Sequence, residues 1–324
     1  MTNSNFTKQA GIEFPIICGA MYPCSNPELV ASVSEAGGIG VIQPLSLVYV
    51  HNHQFEQGLK YIKTMTAKPI GMNVIVEKSS KVYEDRMKQW VDIAIEEGVR
   101  FFVTSLGNPR WVVEKAKAAG GHVYHDVTNK KWAEKAISED VSGLICVNNR
   151  AGGHAGTETI EQLIEDMSGF NVPIIAAGGL STAADIQNAI KLGYQGVQLG
   201  TRFIATNECN AHDDYKNAIV EAKEEDITLT EKISGVPVSV IRTPYIDRVG
   251  TKASKLAKYL LKGRKTKHYM RLFYTLQSLF QLKNASKKGA SYKDYWQAGK
   301  SVKSINSIKS VSEVMKELSK NLDK

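Results

Sequence analysis

Residues 148–163, NNRAGGHAGTETIEQL, set one histidine, His154, among Gly152, Gly153 and Gly156 and then run into a helical pattern. An imidazole that only filled a core would need no neighbours without side chains. Glycine lets main chain approach a ligand closely, at an entropic cost. The stretch therefore predicts a ligand lying flat against backbone, with His154 beside it. A neutral imidazole near pH 7 is suited to taking up a proton. Two further turns carry a related signature. AAGGLST contains Gly178 and Gly179 and leads into a helix, and QLGTRF contains Gly200 and Thr201. Such turns suit a phosphate held by backbone N–H groups and a helix N-terminus. GAMYPC presents the backbone of Ala20 and the soft side chain of Met21, and Asn73 sits in the apolar run GMNV, where an amide needs a hydrogen bond. Together these residues describe a phosphate, a flat ring system and one histidine.

A repeating frame must position them. Eight β-rich apolar runs occupy residues 14–20, 38–42, 69–76, 99–105, 122–127, 142–147, 172–178 and 196–201. Helical patterns lie between most of them, and the segment 45–65 has room for a further helix. Apolar strands covered on both faces read as a parallel sheet. Eight such units predict an α/β fold, a TIM-like (β/α)8 barrel. The rival is an open doubly wound sheet, which the lack of GxGxxG after the first run weakens. In a barrel the active site lies at the carboxyl ends of the strands. The His154 loop follows the sixth run, and the two glycine turns follow the seventh and eighth.

Other residues carry weaker signals. His122 and His125 flank the fifth strand, where structural roles are expected; alternation puts Tyr124 on the face opposite His125. Asp126 is open to two readings, a contact with the ring ligand or substrate or the solvation or capping of a helix. Asn108-Pro109 in SLGNPRWV reads as a loop over the ring or as plain helix initiation.

Composition bounds the rest. The 324 residues carry a net charge of +8 with 43% hydrophobic content, ordinary for a globular protein. The charge is uneven: residues 251–324 hold 18 Lys plus Arg against 4 Asp plus Glu, about +14, leaving the first 250 near −6. The strand–helix alternation ends near residue 205, which predicts a barrel over 1–205 and a smaller, mostly helical substrate or lid region over 206–324, with basic helices over 252–282. Residues 228–250 read as extended. The basic region suits an acidic protein partner; a nucleic-acid or membrane patch over 252–288 is the minor alternative. No apolar run approaches 18 residues and the N-terminus lacks a signal pattern, so a cytoplasmic enzyme without a membrane span is expected. Cys18, Cys24, Cys146 and Cys209 form no CxxC pair and read as reduced thiols. No metal site and no nucleic-acid partner is expected; a homo-oligomer is allowed.

The ordered motifs FPIICGAM, NPELVASVSEAGGIGVI, GMNV, SLGNP, AGGHAG, AAGGLST and QLGTRF resemble the nitronate monooxygenase (2-nitropropane dioxygenase) family. Its FMN-containing relatives include NAD(P)H:quinone reductases and enoyl-acyl-carrier-protein reductases. YWQAGKSV, 295–302, resembles a C-terminal element of the same family. The resemblance implies FMN as cofactor and a small-molecule substrate: a nitronate oxidised with oxygen, or alternatively NAD(P)H with a quinone or an enoyl thioester. It implies that Asn73 bonds the flavin ring and that Gly152 lies along it. Gly179 with Gln198, Leu199, Gly200 and Thr201 would hold the phosphate and ribityl chain, and His154 would be the catalytic base. The chain departs from the family in the lead-in to AGGH. Where Gln-Gly-x-Glu is common it has Val147, Asn148, Asn149 and Arg150, so a Gln-type flavin contact is missing and Arg150 replaces an acid.

Overall fold

Eight parallel strands close on themselves in sequence order. The structure is a computed structural model that describes residues 4–77, 81–233, 236–252, 280, 282–284, 286–287 and 295–322. In chain order the elements are α1 (Asn5–Ala10), β1 (Ile16–Cys18), α2 (Pro27–Glu35), β2 (Ile39–Ile42), α3 (Phe55–Met65), β3 (Gly71–Val76), α4 (Lys81–Glu96), β4 (Phe101–Leu106), α5 (Arg110–Ala118), β5 (His122–Val127), α6 (Lys130–Ile137) and β6 (Gly143–Val147). They continue with α7 (Ile160–Met167), β7 (Ile174–Ala177), α8 (Ala183–Leu192), β8 (Gly196–Leu199), α9 (Thr201–Ile204), α10 (Asp213–Glu221), β9 (Ile227–Thr230), β10 (Val238–Ile241), α11 (Pro244–Val249) and α12 (Val311–Leu318). Pairing of Ile17 with Gln198 and Cys18 with Leu199 joins β1 to β8 and completes the ring.

The strands form where apolar, β-branched residues run together, and the helices start where the chain offers a cap. Thr159 and Gln162 make a reciprocal capping box on α7, Thr182 and Asp185 on α8, and Ser310 and Glu313 on α12. Alternation along each strand then separates two cores. Ile17, Val41, Phe101, Val103, Tyr124, Ile145 and Ile175 point inward and form one cluster, with Phe6 from α1. Cys18, Met72, Val74, Phe102, Val123, Leu144 and Cys146 point outward into the layer shared with the helices. Cys18 and Cys146 are therefore buried thiols, as expected, and both are raised above the ordinary thiol range chiefly by burial.

Helix α1 was not anticipated, because six residues give too short a pattern to read. It stoppers the amino-terminal end of the barrel. The Phe6 ring lies 6.1 Å from that of Phe101 and 5.6 Å from that of Tyr124, and the Tyr124 hydroxyl donates to Gln9 Oε1 at 2.6 Å. Residues 228–250 are only partly extended: β9 and β10 form an antiparallel pair, but Thr243 caps a helix over Pro244–Val249. The basic helices expected over 252–282, and the patch over 252–288, lie almost wholly outside the described residues. The chain then returns, and α12 packs against α2 and α8.

The stopper carries a prediction. Phe6→Ala empties a fully buried ring site and should lower unfolding stability by about 3–5 kcal/mol, read as a fall in the urea midpoint without change in slope. A loss below about 1 kcal/mol would show that the barrel end holds without it.

Candidate functional site at the carboxyl ends of the strands

Because all eight strands are parallel, their carboxyl ends open on one side. The last inward positions of β3, β4, β5, β6 and β8 are Ile75, Ser105, Asp126, Val147 and Gln198, each partly accessible. Their outward neighbours Val74, Thr104, His125, Cys146 and Leu199 are buried. The barrel is thus packed below and open above, and its mouth is floored by two apolar and three polar side chains. Two polar atoms in that floor, Asp126 Oδ1 and Gln198 Oε1, are shut off from solvent and have no hydrogen-bond partner among the described residues. A buried, unpaired polar atom is costly and calls for an explanation, such as a catalytic role or a bound water or ion. Asp126 itself caps no helix, since Asn129 caps α6 by accepting from Trp132 N at 3.2 Å. Burial pushes its carboxyl up to about 7. Asn73 sits one layer deeper and donates to Val103 O at 3.2 Å, so one of its amide protons serves the barrel itself.

The loop bearing His154 is held at its base by Asn148, which is 1% exposed. Its backbone N–H donates to Ala177 O, and its carbonyl accepts from Ala151 N at 3.3 Å and Gly156 N at 3.2 Å. Its side chain accepts from Arg150 N at 2.8 Å and donates to Gly178 O at 2.9 Å. Both ends of the loop and the turn after β7 therefore hang on one residue. Gly178 has φ +113°, and a Cβ there would lie 2.8 Å from Ala151 N, so no other residue fits this junction.

Residues from beyond the barrel press on the same loop. Gly153 and Ser239 of β10 exchange backbone hydrogen bonds of 3.3 and 2.7 Å. A Cβ on Gly152 would lie 2.8 Å from Gly299 N and 2.9 Å from Ala298 C. Gly152 therefore lacks a side chain to admit another stretch of this chain, a reason the sequence did not suggest. Lys300 N donates to Arg150 O at 2.9 Å, Gly299 N to Thr201 Oγ1 at 3.0 Å, and Ser181 Oγ to Ser301 O at 3.1 Å. The segment around residues 297–301 is thereby bonded to the loops of β6, β7 and β8 together. Tyr215 anchors it, stacking on Trp296 at 5.8 Å and donating its hydroxyl to Gln297 O.

His154 stands on this clamped loop. Its ring keeps contact with solvent, yet protein crowds around it enough that desolvation lowers its pKa below the ordinary histidine value. It is therefore neutral at pH 7. His125 is different: it faces outward, shares a 2.8 Å hydrogen bond with Thr104 Oγ1 and is held down to about 4 by burial, a structural residue as expected. Asn108 accepts from Arg110 N at 2.8 Å at the start of α5, which favours the helix-initiation reading of that loop.

The remaining predicted residues divide. Ala20 and Met21 follow β1 and are partly accessible; Met21 Sδ lies 3.3 Å from where a Cβ on Gly200 would stand, so the first and last strands meet there. Gln198, Gly200 and Gly179 border the mouth, but the Leu199 side chain points outward and is 2% exposed, which leaves only its backbone for a ligand. The α8 N-terminus offered to a phosphate is already served: Asp185 Oδ2 accepts from Ser181 N and Thr182 N at 2.9 Å each. Sequence reasoning missed one cluster. Arg150 donates both guanidinium ends to Glu224 at 2.7 Å, and Lys300 and Lys303 stand 3.9 and 3.8 Å from the same carboxylate. The Arg150 bond is the main cause that holds Glu224 below the usual carboxylate range. Nothing in the spacing of residues 150, 224 and 300 signals that they meet.

Comparison with known proteins agrees with this geometry. A family model described as Nitronate monooxygenase matches residues 3–321. The chain is 28% identical over 242 residues to a "(3aS,4S,5R,7aS)-5-hydroxy-7a-methyl-1-oxo-octahydro-1H-indene-4-carboxyl-CoA dehydrogenase" of Rhodococcus jostii, covering 74% of this chain and 66%, just under two thirds, of that protein. It is 26% identical to a "Probable nitronate monooxygenase" of Staphylococcus saprophyticus over 99% of both chains. Among solved structures it is similar to FabK from Thermotoga maritima, with a TM-score of 0.81, 27% identity and coverage of 100% of this chain and 97% of that one. With a closed barrel, an open carboxyl-end mouth and a family match across nearly its whole length, the chain belongs to the nitronate monooxygenase family of flavin-dependent oxidoreductases.

Proposed function

We propose that this protein is an FMN-dependent monooxygenase that oxidises alkyl nitronates with oxygen, with His154 as its base. The observation that carries the reading is the convergence of a neutral imidazole, two glycine turns and two unpaired polar side chains on one end of the barrel. Asp126 Oδ1 and Gln198 Oε1 sit on strands well apart in the ring and fit a flat ligand with polar edges. Asn73, Ala20, Met21 and the backbone of Gly152 and Gly153 would line the ring. Gly178, Gly179 and the run Gln198, Leu199, Gly200 and Thr201 would take the phosphate and ribityl chain. The Thr201 hydroxyl accepts from Gly299 but keeps its own proton to donate. A flavin, when bound, supplies an electron acceptor for the substrate carbanion.

The protein's own part is proton transfer and positioning. A nitroalkane is a carbon acid whose anion is stabilised by the nitro group. The lowered pKa leaves His154 in its proton-accepting form at pH 7. A preformed nitronate has already lost that proton and needs the imidazole less. Asn148 and the segment around Gly299 hold the loop so that His154 does not wander, which limits the entropy lost at the moment of reaction.

A second reading, reduction of an enoyl thioester or quinone by NAD(P)H, is favoured by the likeness to FabK and to a dehydrogenase named for a CoA thioester. The cations Arg150, Lys300 and Lys303, offset by Glu224, suit an anionic carrier or an acidic protein partner.

The purified protein should be yellow and release FMN rather than FAD on denaturation; a colourless protein that takes up neither would overturn the function. Mixed anaerobically, its flavin should bleach with propionate 3-nitronate and not with NADH or NADPH, and the reverse result would select the second reading. His154→Ala should keep its flavin and lose turnover of neutral nitroalkanes by about 10²–10⁴-fold, with a much smaller loss on preformed nitronates; equal losses would remove His154 from the base role. For the wild type, protonation of the imidazole at low pH removes the base. Turnover of neutral nitroalkanes should therefore be level from pH 7 upward and fall only at pH values below the ordinary histidine pKa.

A further inference from the structure

The acid in the floor of the barrel mouth takes no part in the proton transfer proposed above. We infer that Asp126 is a ligand-facing, specificity-determining residue, whose carboxyl bonds the bound flavin or substrate from below and sets the charge that this ligand meets. The inference rests on the flavoprotein reading above and deepens it. Asp126 shares its strand face with Tyr124, an inward member of the barrel core, so alternation aims it inward. It occupies the last inward position of β5, where the mouth begins to be accessible. Its Oδ1 is cut off from solvent and bonded to nothing among the described residues. An oxygen in that situation needs a partner that the described residues do not provide.

The surrounding charges sharpen the consequence. On β6 the Cys146 thiol feels both Asp126 and Glu158 and is pushed up to about 12, first by burial. Below Asp126 the Tyr124 phenol is tied to Gln9, and on β4 the nearest inward polar group is the neutral Ser105. Asn73 on β3 and Gln198 on β8 are neutral amides, and His154 on the loop above is neutral at pH 7. Among the described residues no cation contributes to the titration of Asp126, and burial carries it up to about 7. The sign follows. Below neutral pH the group is a neutral acid that can donate a hydrogen bond. Above it the group is an unpaired anion in the floor of the site, which repels anionic ligands and opposes the negative charge of a reduced flavin. The chain would therefore accept an anion, such as a nitronate, better on the acid side of neutrality.

The test compares the flavin-loaded wild type with Asp126→Asn, using sulfite, an anion that adds to protein-bound flavins, as the probe. At each pH both proteins meet the same sulfite species, so the probe's own titration cancels. Sulfite affinity should be equal near pH 5.5 and about tenfold or more weaker in the wild type near pH 8.5. The flavin midpoint potential of the wild type should fall more steeply through neutrality than that of the variant. Equal affinities and parallel potentials across this range would overturn the assignment while leaving the flavoprotein intact. A wild type that takes up no flavin would overturn the function and this role with it. Should Asp126→Asn fail to fold, Asp126→Ser makes the same comparison, and the wild type alone still answers. A bend in its sulfite affinity near pH 7 beyond that of free flavin supports the role, and a profile identical to free flavin overturns it.

Discussion

A closed parallel sheet has a single interior, and whatever fills one end leaves its chemistry to the other. Here Phe6, Phe101 and Tyr124 occupy the amino-terminal end with three aromatic rings in mutual contact. Upward from that layer the inward residues shrink or turn polar: Val103, Ile145 and Ala177, then Ser105, Asp126 and Gln198. The outward face shows no such gradient, since it is sealed by helices along its length. Space and polarity appear together at the carboxyl ends for this reason, and every loop that bears a candidate residue starts there.

The barrel alone does not fix the loop that carries His154. That task falls to chain from outside the eight units. Gly152 and Gly299 lie backbone against backbone, and β10 adds two hydrogen bonds through Gly153. The half-exposed Arg150–Glu224 pair nearby has good geometry, but a pair so open to solvent contributes only about 0–1 kcal/mol. The glycine contact and the buried Asn148 network weigh more, because breaking either strands buried backbone groups at about 1–3 kcal/mol each. Arg150 is better understood as setting where the segment around residue 300 lies than as holding the fold together.

Much of this was legible in the sequence, and the exceptions have physical causes. Eight apolar runs with helical spacers gave the barrel, because a parallel sheet buried on both faces leaves a strong local pattern. Glycines after the last three strands mark where other backbone packs closely on the loops, because such packing admits few other residues. Their reasons were harder to read. Gly152 and a swarm of close contacts around Gly299 are 147 positions apart in the chain, and no local pattern links them. Thr182 and Asp185 formed a capping box that removed the α8 N-terminus from the phosphate, although TAAD itself carries that signal. Leu199 was grouped with its neighbours by motif, whereas strand alternation turns it away from the mouth. The six residues of α1 gave too little periodicity to register.

The lead-in VNNR illustrates how a family likeness and a chemical role separate. Position 147 faces the mouth, and an apolar valine there leaves the floor between Asp126 and Gln198 without a donor. Asn148 is turned away from the mouth and spends its side chain on Arg150 N and Gly178 O. Asn149 donates its backbone N–H to Glu158 O, which steadies the exit of the same loop. Arg150 reverses the charge of the common acid and has its own counter-ion in Glu224. Two of the three departures are thus absorbed by architecture. The third, Val147, puts an apolar side chain in the floor of the mouth, beside the strand that carries Asp126. At this level of the mouth the polar side chain therefore stands on β5 and the apolar one on β6.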